Sequence, residues 1–235
     1  MNTRKLLVSI LMFVCVLFSA CAPVATKAPT AAPSTEVPAA ATEASGKLTT
    51  FHSPENTSFH LPLTFSYGQG WDVHIVINDV DIVYMENPAG PQSEWWGGGV
   101  ALVNGAHVAD PAKITDPAQM TTPSLDDFLP WPDDFFAYVA SIPGMKVVQN
   151  PTSVTIGGVQ GLQMIVHTPE VMHTMLWLKD DYTGLGDDYS DRKELLILLD
   201  VNGEQVLLMY DESPGKFDER YPLMQEIFNT ITFTN

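Results

Sequence analysis

Apolar and polar positions divide the chain into three regimes. The first is an apolar run, Leu6 to Phe18, broken only by Ser9, behind Arg4 and Lys5. The second, Ala22 to Gly46, is Ala, Pro and Thr with Glu36, Glu43 and Lys27, and has no apolar periodicity. With nothing large to bury there, the cost of ordering is not met, and a disordered linker is predicted. Its prolines favour extended stretches rising ~3.1 Å per residue, so it can hold a folded body clear of a surface. The third regime, from Leu48 onward, has the periodicities of such a body. Trp71 to Ile77 alternates with Val73, Ile75 and Ile77 on one side, and Val80, Ile82 and Tyr84 resume the pattern after Asn78-Asp79. Such period-two stretches predict strands with one buried face. Ser58 to Tyr67 reads as a strand entry that Pro62 confines to an edge or a bulge. Gly98 to Val108 reads as a strand or a tight hairpin about Asn104-Gly105.

A helical period comes next. Ser124 with Asp127 resembles a capping box, and beyond Pro130 and Pro132 a helix places Phe135, Tyr138, Val139 and Ile142 on one face, stopping at Pro143-Gly144. Two hairpins are then predicted. Ser153–Ile156 and Val159–His167 flank Gly157-Gly158, and Leu195–Val201 and Glu204–Tyr210 flank Asn202-Gly203. Leu195 to Leu199 is apolar at both parities, which predicts an interior strand covered on both faces. A last helix starts at Ser213-Pro214, carries Asp218 and Glu219 in its first turn, and stacks Phe217, Tyr221, Met224 and Phe228. Ile231 to Thr234 closes the chain as a short strand. Strands, helix, strands, helix, strand predicts an α+β fold, an antiparallel sheet packed by helices.

The leader run is 13 residues long, short of the roughly 20 that span a bilayer, and suits a secretory signal. Leu17-Phe18-Ser19-Ala20-Cys21 resembles the lipobox of bacterial lipoproteins, with small residues before the cysteine and Phe18 where an aliphatic residue is common. The resemblance implies a signal peptide over 1–20, a lipidated Cys21 (palmitate among its acyl chains) heading a linker over 21–47, and an extracytoplasmic domain over 48–235 held to a cell membrane. The one other cysteine, Cys15, lies within the leader, so the folded body has no disulfide or thiol chemistry.

Charge narrows the partners. The chain has 28 carboxylates against 11 Lys and Arg, net −17, and Arg4, Lys5, Lys27 and Lys47 precede the body. Nucleic acid and anionic headgroups need basic patches to displace counterions, so neither is expected as a partner of the folded part.

The Gly70-Trp71 strand start, the helix ending near Pro143, the Thr155-Ile156-Gly157-Gly158-Val159-Gln160-Gly161 hairpin and the Phe217 to Phe233 helix and strand are similar to PsbP-like α/β/α sandwich domains. These occur in many bacterial lipoproteins and in an extrinsic photosystem II subunit. The resemblance implies that fold and an accessory or binding role without catalysis.

Candidate chemistry is sparse. Asp180, Asp181, Asp187, Asp188, Asp191 and Glu194 form an acidic stretch with Gly184 and Gly186. Such oxygens suit Ca²⁺ or another divalent cation, although the spacing is not that of an EF-hand. The plainer reading is a solvated loop. The histidines form no zinc motif. His167 and His173 flank Glu170, and His74 and His107 are candidates for cross-strand neighbours. No Gly-x-Ser-x-Gly elbow is present, and Asp126-Asp127 and Asp133-Asp134 read as helix-start acids. Trp95, Trp96 and Trp131, with Phe128, Phe135 and Phe136 nearby, suggest an aromatic contact surface, because adjacent strand residues point to opposite faces. The expectation is a lipid-anchored binding or accessory protein with a protein or glycan partner at those tryptophans and no catalysis. A divalent-metal module using the acidic stretch and an envelope hydrolase with a spatially assembled site are the alternatives.

Overall fold

The computed structural model describes residues 47–54, 59–75, 82–87, 96–113, 128–168, 176–178, 183–185 and 191–234. The leader, Cys21, the linker and the Ser124–Asp127 capping box lie outside these residues. So do Ile77, Asn78-Asp79 and Val80.

The described strands are β1 (Thr49–His52), β2 (Leu63–Tyr67), β3 (Asp72–Ile75), β4 (Ile82–Asn87), β5 (Trp96–Leu102), β6 (His107–Ala109), β7 (Phe128–Pro130), β8 (Lys146–Ile156), β9 (Val159–Thr168), β10 (Leu176–Leu178), β11 (Thr183–Leu185), β12 (Arg192–Val201), β13 (Glu204–Glu212) and β14 (Thr232–Phe233). Two α-helices accompany them, α1 (Phe135–Ser141) and α2 (Pro214–Phe228). Seven strands form an antiparallel sheet in the order β3-β4-β5-β13-β12-β9-β8. A three-stranded sheet, β1-β2-β14, and a four-stranded one, β11-β10-β6-β7, complete the body. The fold is α+β, with helices packed on an antiparallel sheet.

The apolar run in β12 shows why the large sheet is covered twice. Leu195, Ile197 and Leu199 join a core with Phe217, Met224 and Phe228 of α2. Leu196 and Leu198 face the other way, toward Phe135, Tyr138 and Val139 of α1. Each buried side chain of this size contributes about 1.5–3 kcal/mol, so this strand alone commits both helices to opposite faces. α1 is capped by Asp134, whose carboxylate accepts from Ala137 N at 2.9 Å. Tyr138 donates its hydroxyl to Ala109 O at 3.0 Å, and burial with nearby Asp110 raises its pKa.

The start of β5 is a close approach between backbones. A Cβ on Gly97 would lie 2.0 Å from Met85 O, and one on Gly98 2.0 Å from Met209 O. Side chains are excluded there by the flanking strands β4 and β13. The two predicted turns form as expected, with Gly157, Gly158, Asn202 and Gly203 all at positive φ.

Three expectations are corrected. Asn104-Gly105 does not close a hairpin within one sheet, because β5 pairs with β4 and β13 while β6 pairs with β7 and β10. The Asn104 side chain instead binds the next turn, donating to Gly203 O at 3.1 Å and accepting from Gln205 N. Asp218 and Glu219 lie beyond the first turn of α2, which begins at Pro214. Finally, His74 and His107 are not cross-strand neighbours. His74 stacks on Tyr84 in the large sheet, and His107 lies in the four-stranded one.

Candidate functional site

Charge is concentrated where β9 and β13 end and β12 and α2 begin. The register aligns Thr168 with Arg192, His167 with Lys193, and Lys193 with Glu212. Lys146 of β8 pairs with His167. Of the few cations in the acidic body, Lys146, Arg192, Lys193 and Arg220 therefore gather at one end of one sheet.

On the α2 side the centre is Glu212, only 3 % exposed. Its carboxylate accepts from Ser213 N at 2.7 Å, from Ser213 Oγ at 2.9 Å and from Arg220 Nη1, with Arg192 Nη1 at 3.6 Å. A buried carboxylate needs this many donors to stay charged. Arg220 also covers the Trp96 ring, its Cζ 5.0 Å from the centroid. Lys193 bonds Asp218 at 2.6 Å and lies 4.5 Å over the Phe217 ring. His167 Nε2 donates to Asp191 Oδ1 at 2.8 Å, with Asp191 held at positive φ. Beneath these groups Tyr210 is wholly buried among Trp96, Phe217 and Tyr221. Its hydroxyl has no hydrogen-bond partner among the described residues. Burial raises its pKa, reinforced by Glu212 and Asp211.

The opposite face presents Glu194, aligned with Asp211 on β13 and Val166 on β9. Desolvation pushes its pKa up to about 8, Asp211 adds to the shift, and Arg192 opposes it. Glu194 is thereby biased toward its protonated form, while Asp211 is engaged by Arg192 at 3.7 Å. Chemically, the charged end locks two strands to a helix and sets a carboxyl of raised pKa beside a carboxylate.

Asp180, Asp181, Asp187, Asp188, His173 and Glu170 lie outside the described residues. Asp191 and Glu194 are not brought together. Asp191 is bound to His167, on the face that shares Lys193 and Ile165 with α2, whereas Glu194 alternates onto the α1 face. Among the described residues no group of three or more His, Cys, Asp or Glu is placed to hold a metal.

Trp96 and Trp131 do not share a surface either. Trp95 lies outside the described residues. Trp96 is buried at 7 % exposure in the α2-side core, edge-on to Trp71 at 5.0 Å. Trp131 packs on the α1 side, stacked on Phe135 at 4.9 Å and half-buried. β5 turns Trp96 inward under Arg220. Sequence reading missed Glu212, Arg192, Arg220 and Tyr210. The available signal was the clustering of Arg192, Lys193, Lys216 and Arg220 in a body otherwise poor in cations.

No protein-family model and no curated protein sequence matches the chain. Solved structures similar to it include cyanobacterial PsbP (CyanoP) from Synechocystis sp. PCC 6803, 12 % identical with a TM-score of 0.42, covering 80 % of this chain and 94 % of that one. LpqN, involved in cell envelope biogenesis of Mycobacterium tuberculosis, is 11 % identical with a TM-score of 0.42, covering 81 % and 94 %. PA94 from Pseudomonas aeruginosa, a protein of unknown function and putative regulator, is 12 % identical with a TM-score of 0.36, covering 79 % and 96 %. These likenesses concern chain arrangement and carry no ligand or reaction.

Proposed function

We propose that the chain is a lipid-anchored extracytoplasmic binding or accessory protein that performs no catalysis. The observation that carries this reading is the order along the chain. A basic start, a 13-residue apolar run and Ser19-Ala20-Cys21 precede a linker with nothing to bury, and the first described strand begins only at Thr49. Acyl chains on Cys21 would supply ~0.8 kcal/mol per buried CH₂. Among the described residues no helix is long and apolar enough to cross a membrane. Arg192, Lys193, Arg220 and His167 at the charged end are engaged with Asp211, Glu212, Asp218 and Asp191, an arrangement suited to holding shape. With Trp96 buried, the aromatic contact surface we propose is Trp131, half-buried beside exposed Leu129, together with Trp95.

The test is fractionation of the full chain with and without Cys21→Ser in a bacterial host fed labelled palmitate. The wild type should be labelled and sediment with membranes. The variant should be unlabelled and should either leave the membrane or remain as an uncleaved precursor. Equal labelling of the two would end the proposal.

A further inference from the structure

The two edges of the seven-stranded sheet are unequal. β3, at one edge, is four residues long and begins with Asp72. β8, at the other, is 11 residues long and exposed at eight of them, with Gln149 and Val154 half-buried and Ile156 buried. Natural sheets blunt such edges with short strands, charge, proline or bulges. On β8 the defence covers only the first half, where register shifts fall between Val147 and Thr152 and Pro151 interrupts the donors. Thr152 to Ile156 pairs regularly with β9, and among the described residues no strand pairs with its outer edge.

The composition of this hairpin is also unusual. From Val147 to Val166 there is no Asp, Glu, Lys or Arg, in a chain that is 17 % charged with a net charge of −17. Of the six large apolar residues exposed among the described positions, three (Val147, Val148 and Leu162) are on it. A basic partner would gain from meeting the carboxylates and has no need of a neutral stripe. A partner as acidic as the chain itself can approach closely only where charge is absent.

From this juxtaposition we infer that the Thr152–Ile156 edge of β8 is a self-association surface, on which a second copy of this chain docks antiparallel across a two-fold axis. An isologous contact presents the same patch twice, and here neither copy sets a charge against the other. With the axis near Ser153 and Val154, residue 153 of the two copies lies directly opposite or diagonal, within cross-strand reach. Because the rest of each body repels the other, the association strengthens as salt rises, the reverse of docking through complementary charges.

The experiment is sedimentation equilibrium of Ala22–Asn235, whose two cores are drawn from residues 59–231, over a series of NaCl concentrations. The wild type should dimerise reversibly and more tightly at high salt. Ser153→Glu and Ser153→Lys should each weaken the dimer by about tenfold or more. That includes the Lys variant, even though it lowers the net negative charge. An equimolar mixture of the two should restore association. Ser153 is exposed, so both variants should keep the wild-type melt, which separates a lost contact from a lost fold. A wild type monomeric at every salt concentration, a dimer weakened by rising salt, a dimer indifferent to both variants, or a mixture no tighter than either variant alone would each overturn the inference.

Discussion

Glu194→Gln should stabilise the protein at neutral and alkaline pH and change little below pH 5. In the unfolded chain this carboxyl ionises near 4.5, and in the folded chain near 8. Below both values it is protonated in either state and contributes no pH dependence. Between them the folded state binds the extra proton, so stability falls as pH rises, and above the folded value the loss is complete. Each unit of displacement is worth about 1.4 kcal/mol, which sets a ceiling of about 5 kcal/mol. Glu194 is only half-buried, and solvent around it should reduce the loss to ~1–3 kcal/mol. Gln mimics the protonated acid in shape and cannot ionise beside Asp211, so it removes the penalty. Urea melts of both proteins at pH 5, 6, 7 and 8 should diverge steadily in favour of the variant. At pH 8 its thermal midpoint should be higher by ~2–4 °C per kcal/mol. Parallel pH profiles, or a variant less stable at pH 8, would refute the raised pKa of Glu194.

Other perturbations test the same geometry. Glu212→Ala strips Arg192 and Arg220 of their buried acid and should cost ~3–5 kcal/mol in denaturant unfolding, because breaking one side of a buried pair strands the other. Gly98→Ala forces a methyl into Met209 O and should abolish soluble folded protein or cost upward of ~4 kcal/mol, read by circular dichroism melts. Gly105→Ala, at positive φ with open space, should cost only ~1 kcal/mol by the same measurement. Chelator should leave the melting midpoint unmoved, and restored Ca²⁺ should not raise it. A tight site at 100 times its Kd would instead add ~2.7 kcal/mol.

The elements legible in the sequence are those whose signal is local. β12 announces itself because Leu195 to Leu199 is apolar at both parities, and α2 because Phe217, Tyr221, Met224 and Phe228 recur at helical spacing. Asn202-Gly203 and Gly157-Gly158 mark turns because both positions need positive φ. The same signal misled at Asn104-Gly105, since a dipeptide specifies a turn and not which strands pair beyond it. Parity says that neighbouring strand residues face opposite ways, but that Trp96 enters the core is set by its packing with α2 and Arg220. The Glu212 network was illegible for a related reason. It joins the start of β12, the end of β13 and the second turn of α2, and only register and packing bring those together.

Whether Cys21 heads the tethered domain as an acylated residue is read from intact mass and tandem mass spectrometry of the membrane-extracted mature chain. An N-terminal Cys21 bearing acyl-glyceryl mass is expected, with Ala22-Pro23 next in the chain. A mature chain beginning at another residue, or an unmodified Cys21 in the mature protein, would contradict it.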